Sequence, residues 1–166
     1  MTQQSSTEQP GTAEPAAEPN KDQRRAVVAC SFCATPNRID LTKLSQGPKC
    51  AKCHRPILLD RPIKAAEADY DKSLQGTTVP VLVDFYADWC GPCHMMAPTL
   101  DDFAKQQAGS VLVLKLDTDA HPNIAGRYGI RGIPTLIVFD HGKERGRHVG
   151  VADRKALEKL AGVSSS

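Results

Sequence analysis

The six cysteines of this chain fall into three Cys-x-x-Cys pairs: Cys30/Cys33, Cys50/Cys53 and Cys90/Cys93. In a reducing compartment, thiols at that spacing either hold a metal or cycle between dithiol and disulfide. The first two pairs are separated by sixteen residues, Ala34 to Lys49. That interval fits a four-thiolate zinc site, in which two turns each supply two ligands to one tetrahedron. Two disulfides or four free thiols are the other states open to these residues. The third pair lies in Trp89-Cys90-Gly91-Pro92-Cys93, where an apolar strand gives way to a helical pattern. A cysteine at a helix N-terminus meets free N–H groups and the positive end of the macrodipole. Both lower the thiol pKa, and the thiolate is the attacking species.

Asp84 is the second chemical signal. On the strand before Cys90, Val81, Val83 and Phe85 point one way, while Leu82, Asp84 and Tyr86 point the other. A central strand covered on both faces is apolar throughout, and an unpaired carboxylate on either face is costly. Burial would raise the Asp84 pKa and let it move protons for the cysteines at the end of the same strand. An Asp on an exposed edge strand is the plainer reading.

Residues 63–163 carry the pattern that must position these groups. Ala66, Tyr70 and Leu74 mark a helix over Lys64 to Gln75. A strand follows from Val79 to Tyr86. A helix from Cys90 to about Gln107 buries Met96, Leu100, Phe103 and Ala104, with a kink expected at Pro98. Further strands are expected at Val111–Leu116, Thr135–Asp140 and near Arg147–Val149, with a turn at residues 141–143. A short helix spans Pro122–Tyr128, and Asp153 caps a last one running to about Leu160. Strands alternating with helices predict an α/β sheet covered on both faces.

Residues 26–62 hold the first four cysteines and few core-forming side chains, so the module needs a metal or disulfides to fold. Residues 1–25 are rich in Gln, Ser, Thr, Glu, Pro and Ala and are expected to be a disordered tail.

Composition narrows the partners. The chain has 166 residues, 40% hydrophobic and 24% charged, with a net charge of +2. That charge is too small to argue for nucleic acid or a membrane surface. Between residues 26 and 62, six basic side chains face two acidic ones. Beside four thiolates this excess offsets the charge of the site rather than marking a nucleic-acid interface. No apolar run approaches the roughly 20 residues of a membrane helix. The N-terminus shows no basic region followed by an apolar one, so the expected location is the cytoplasm.

From about Val79 onward the sequence resembles the thioredoxin family. The resemblance rests on Val81-Leu82-Val83-Asp84-Phe85, Trp89 to Cys93, Ala97-Pro98, Lys115-Leu116-Asp117, Ile130 to Thr135 and Val149-Gly150, in the family's order and spacing. The added cysteine module resembles the zinc-bearing thioredoxin 2 branch. This implies a thioredoxin fold, a central mixed β-sheet flanked by helices, preceded by a zinc-ribbon-like module holding one Zn²⁺ on Cys30, Cys33, Cys50 and Cys53. It implies a protein-disulfide reductase in which Cys90 attacks a client disulfide and Cys93 resolves the mixed disulfide. Asp84 would be the proton acceptor, with Lys115 near it. Trp89, Gly91, Pro92, Ile133, Pro134 and Gly150 would receive the client chain, and Pro134 would follow a cis peptide bond. The implied partners are disulfide-containing proteins and a flavin-containing thioredoxin reductase using NADPH, with the chain working as a monomer. A role in redox homeostasis and the response to oxidative stress follows. Two positions depart from the family: Tyr86 stands where many relatives carry Trp, and His94 where Lys or Arg is common. A protonated His94 would stabilise the nearby thiolate.

Three rival readings use the same residues. Cys50 to His54 and Cys90 to His94 each match the Cys-x-x-Cys-His haem-attachment pattern. The cysteine module could make the chain chiefly a binding or chaperone protein. Oxidation of the four thiolates could release metal and regulate activity.

Overall fold

The computed structural model describes residues 23–164. Most of the expected disordered tail lies outside the described residues, and Arg25 already belongs to the first strand. β1 (Arg25–Ala29) and β2 (Pro36–Asp40) form an antiparallel hairpin, followed by a 3₁₀ turn over Leu41–Gln46. After the second cysteine pair come β3 (Ile63–Lys64), α1 (Glu67–Gly76), β4 (Val81–Tyr86), α2 (Gly91–Gln106), β5 (Leu112–Asp117) and α3 (Pro122–Arg127). β6 (Thr135–Asp140), β7 (Lys143–Val149) and α4 (Arg154–Ala161) complete the chain.

The five later strands make one mixed sheet in the order β3-β5-β4-β6-β7. β3, β5 and β4 run parallel, while β6 and β7 are antiparallel to their neighbours. β4 is therefore the central strand, buried at all six positions. Its alternation divides the core. Val81, Val83 and Phe85 pack with Tyr70 and Leu74 of α1 and Ile124 of α3. Leu82 packs with Met96, Leu100 and Phe103 of α2 and Leu157 of α4.

The expected elements recur with shifted bounds, β4 starting at Val81 rather than Val79. Ile63 and Lys64 are extended, paired with Leu114 and Lys115, so α1 starts at Glu67 rather than Lys64. α2 continues through Pro98 as one helix. β7 begins immediately after a tight turn, because His141 (φ 48°) and Gly142 (φ 80°) both take the left-handed conformation that a two-residue hairpin loop requires. The Asp153 cap is present, its carboxylate accepting the Ala156 N–H at 2.8 Å.

The cysteine module does not stand apart. Ala26 and Val28 of β1, Ile39, Leu41, Ile57 and Leu59 share one buried cluster with Tyr70, Leu74 and Val79. The end of α1 lies so close to β1 that a Cβ on Gly76 would sit 2.7 Å from a Val27 methyl. The next two residues satisfy the outer edge of β1: Thr77 Oγ1 accepts the Val27 N–H at 3.0 Å and Thr78 Oγ1 accepts the Arg25 N–H at 2.9 Å. Replacing Thr77 with Val keeps the shape but leaves the Val27 N–H without its partner. Thr77→Val is expected to lower the unfolding free energy by about 1–3 kcal/mol in urea titration. An unchanged midpoint would mean that this seam does not hold the module.

Candidate active site and metal centre

β4 ends at Tyr86, and the chain turns through Ala87 and Trp89 into α2. Cys90 is the N-cap of that helix, extended at φ −80°, ψ 108°, and its Sγ accepts the Cys93 N–H at 3.2 Å. Cys90 and Cys93 are joined as a disulfide, buried in a small cluster with Tyr86, Ala87 and Ile133. The Cys90 Sγ lies 3.8 Å from the Ile133 carbonyl oxygen, and the Ile133–Pro134 peptide is cis. The Pro134 carbonyl accepts the Gly150 N–H at 2.8 Å. Gly150 sits at φ 97°, which a side chain would strain. Cys90, Ile133, Pro134 and Gly150 are thus brought together, with Gly91 and Pro92 exposed in the first turn of α2.

Trp89 is 72% exposed, yet its indole N–H donates to Asp119 Oδ2 at 2.8 Å. Asp119 is in turn held by its own N–H on Asp117 Oδ1 at 2.9 Å. Sequence reasoning missed Asp119, since an acidic residue in a loop after a strand carries no signal of its own.

Asp84 is 2% exposed on the central strand, which removes the edge-strand reading. Its Oδ1 has no hydrogen-bond partner among the described residues. Burial pushes its pKa up to about 6, against the opposing pull of the Lys115 ammonium. Lys115 is its register partner on β5, half-buried, with Nζ 4.4 Å from the Tyr86 ring centroid. Tyr86 therefore offers a π-face to that cation. His94 is engaged elsewhere, its Nε2 lying 2.6 Å from the Asp88 carbonyl oxygen.

Cys30, Cys33, Cys50 and Cys53 converge, their sulfurs all within 4.8 Å of one another. The Cys30–Cys53 and Cys33–Cys50 sulfurs are each 3.6 Å apart. A regular tetrahedron with metal–sulfur bonds of about 2.3 Å has sulfurs about 3.8 Å apart, so the residues fit a tetrathiolate metal ion. Two equivalent turns build the site. Ala34 N–H donates to the Cys30 carbonyl and His54 N–H to the Cys50 carbonyl. Both residues are left-handed, at φ 56° and 59°. Backbone N–H groups point at the sulfurs, Phe32 at Cys30 (3.5 Å) and Lys52 at Cys50 (3.4 Å). Asn37 was not foreseen: its amide donates to Cys50 Sγ at 3.5 Å while its carbonyl oxygen accepts the Ala51 N–H at 3.0 Å, tying β2 to the second turn. The N–H of Cys53 and then that of Lys52 bring the Cys50 thiol down to about 6, while burial and the facing sulfurs push Cys53 up to about 11. Facing sulfurs in a closed set of four also leave the Cys50-to-His54 haem reading without support.

A family profile described as Thioredoxin matches residues 61–162, and one described as Thioredoxin 2, N-terminal matches residues 29–55. Thioredoxin C-3 of Corynebacterium nephridii is 36% identical over 133 residues, covering 80% of this chain and 91% of its own. A thioredoxin of Rickettsia felis is 41% identical over 91 residues, covering 55% of this chain and 87% of its own. The solved structure of a mutant thioredoxin from Halobacterium salinarum superposes with a TM-score of 0.58 at 37% identity, over 63% of this chain and 91% of that one. With the fold, the helix-capping cysteine pair and both profile matches in agreement, the chain belongs to the thioredoxin family of disulfide oxidoreductases and carries a thioredoxin 2 type cysteine module.

Proposed function

We propose that this chain reduces disulfides in client proteins, with Cys90 as nucleophile and Cys93 as resolving thiol. The observation that carries the reading is the place of Cys90, whose sulfur caps α2 and accepts the Cys93 N–H. In the reduced protein the same N–H groups stabilise a Cys90 thiolate. That thiolate attacks a client disulfide, bonding to one sulfur and expelling the other as a thiolate. Cys93 then gives up its proton, bonds to Cys90 Sγ and releases the second client sulfur. Two electrons pass from the dithiol to the client, and the chain is left as the Cys90–Cys93 disulfide.

Asp84 accepts the Cys93 proton, a task suited to an acid whose pKa burial has lifted to about 6. Lys115 keeps that carboxylate from rising further. Trp89, Gly91, Pro92, Ile133, Pro134 and Gly150 form the surface against which the client chain lies. Cys30, Cys33, Cys50 and Cys53 would hold one Zn²⁺ per chain, which when bound would cross-link two turns that have little core of their own. A flavin-containing thioredoxin reductase drawing on NADPH restores the dithiol, in the cytoplasm. The working unit is a monomer of 26–62 module plus 63–163 redox domain, serving redox homeostasis and the response to oxidative stress. No described helix is long and apolar enough to cross a membrane.

Two outcomes test this reading. Cys93→Ser is expected to accumulate a covalent Cys90–client mixed disulfide, visible by non-reducing electrophoresis and mass spectrometry. Cys90→Ser is expected to form none, and adducts through Cys93 instead would reverse the roles. The second outcome follows from Asp84. Its folded pKa of about 6 lies above the ordinary unfolded value near 3.9, so the folded protein holds the proton longer. Stability therefore falls as pH rises from about 4 to about 6, and the loss persists above. Asp84→Asn escapes this. In urea unfolding of the oxidised protein it is expected to gain up to about 3 kcal/mol over the wild type at neutral pH, and nothing below about pH 3. A difference independent of pH would contradict the buried, proton-holding carboxylate.

A further inference from the structure

The cysteine module and the redox domain enclose an open groove of about 580 Å³. Phe32 and Leu58, 58% and 45% exposed, are apolar side chains left uncovered in its wall, which Pro56 and Ile63 also line. Arg61 and Lys64 also line it, and the Arg55 guanidinium lies over the Phe32 ring at 4.4 Å. Asp60 is spent on Arg61 at 2.9 Å, and Glu67 faces His121 at 3.7 Å. Among the described residues, Arg55 and Lys64 have no carboxylate partner. β3 lines the groove and is an edge strand, so a chain laid along its outer side meets backbone groups that no other strand takes.

The groove is also tied to the redox site. His121 lines it, two residues beyond the Asp119 that holds the Trp89 indole. A single loop, residues 118–121 between β5 and α3, therefore touches both surfaces. A second copy of the chain would bring the same cationic lining against this one, which disfavours self-association here. An apolar floor beneath unpaired cations is complementary to an apolar side chain flanked by carboxylates.

We propose that this groove is a second docking site for clients, binding an extended segment in which a large apolar residue lies next to Asp or Glu, while the client disulfide engages Cys90. The inference rests on the client-reducing reading above. The test uses disulfide-bridged peptides reduced by catalytic amounts of the chain with dithiothreitol as electron source. One peptide has no extension. Others carry a Leu-Asp-Glu or a Ser-Lys-Lys extension at several spacings from the disulfide.

The wild type is expected to show a KM about 5–10-fold lower for the acidic apolar extension, at one spacing or more, with kcat unchanged. Leu58→Ser/Lys64→Glu is expected to erase that advantage while reducing the unextended peptide normally. Phe32→Ala, checked for unchanged metal content, supplies an independent second reading should the first variant fold poorly. Equal KM values for all peptides, or an advantage that survives both changes, would overturn the groove proposal. So would a concentration-dependent dimer that the same substitutions abolish. Failure to reduce even the unextended peptide would instead overturn the oxidoreductase reading itself.

Discussion

The redox end of the molecule depends on one junction, where a fully buried central strand stops and a helix starts on a cysteine. β4 cannot shift, because its two faces are packed into separate cores, one against α1 and α3 and the other against α2 and α4. Its alternation therefore fixes which side Asp84 occupies and where the chain must leave the sheet. The exit places Cys90 at the N-cap of α2, so the N–H groups that every helix leaves unpaired become the stabilising environment of a sulfur. Ile133, Pro134 and Gly150 arrive from the other half of the sheet through β6 and the end of β7, held together by the Pro134–Gly150 hydrogen bond. The reactive pair is thus assembled by backbone geometry, with few side-chain contacts of its own.

The cysteine module solves a different problem. A hairpin and two turns cannot bury enough surface to fold alone. Two devices compensate. Four sulfurs converge at distances that suit a tetrathiolate metal, and β1 is welded to α1 through Gly76, Thr77 and Thr78. The result is one core running from Ala26 to Phe139. The link continues into the sheet, since β3 directly follows the module and its neighbour Ala65 donates to the carbonyl of Lys115, the residue opposite Asp84.

Cysteine spacing made both sites legible in the sequence, because Cys-x-x-Cys closes only in a tight turn or at a helix start. The parity of Val81 to Tyr86 made Asp84 legible, because a carboxylate in an apolar run has a cost that periodicity exposes. What stayed hidden depended on partners distant in sequence. β1 and β2 are short and mixed in composition, and their pairing is set by the turn between Cys30 and Thr35. β3 has two residues and exists only because β5 offers an edge, which is why the helical periodicity of Lys64 to Gln75 overran it. Asn37 and Asp119 act through single hydrogen bonds across loops, and no local pattern marks such residues.

The chemistry rests on a division of labour: one reactive thiolate at a helix start, and four thiolates withdrawn into a metal site. Peptide-resolved alkylation of the reduced, metal-loaded protein across a pH series tests it most directly. Cys90 is expected to be modified first, with a midpoint below the ordinary thiol pKa of about 8.5, while Cys93 lags. Cys30, Cys33, Cys50 and Cys53 are expected to stay unmodified until a chelator removes the metal. Modification of those four at the rate of free thiols, or reaction of Cys93 ahead of Cys90, would contradict it.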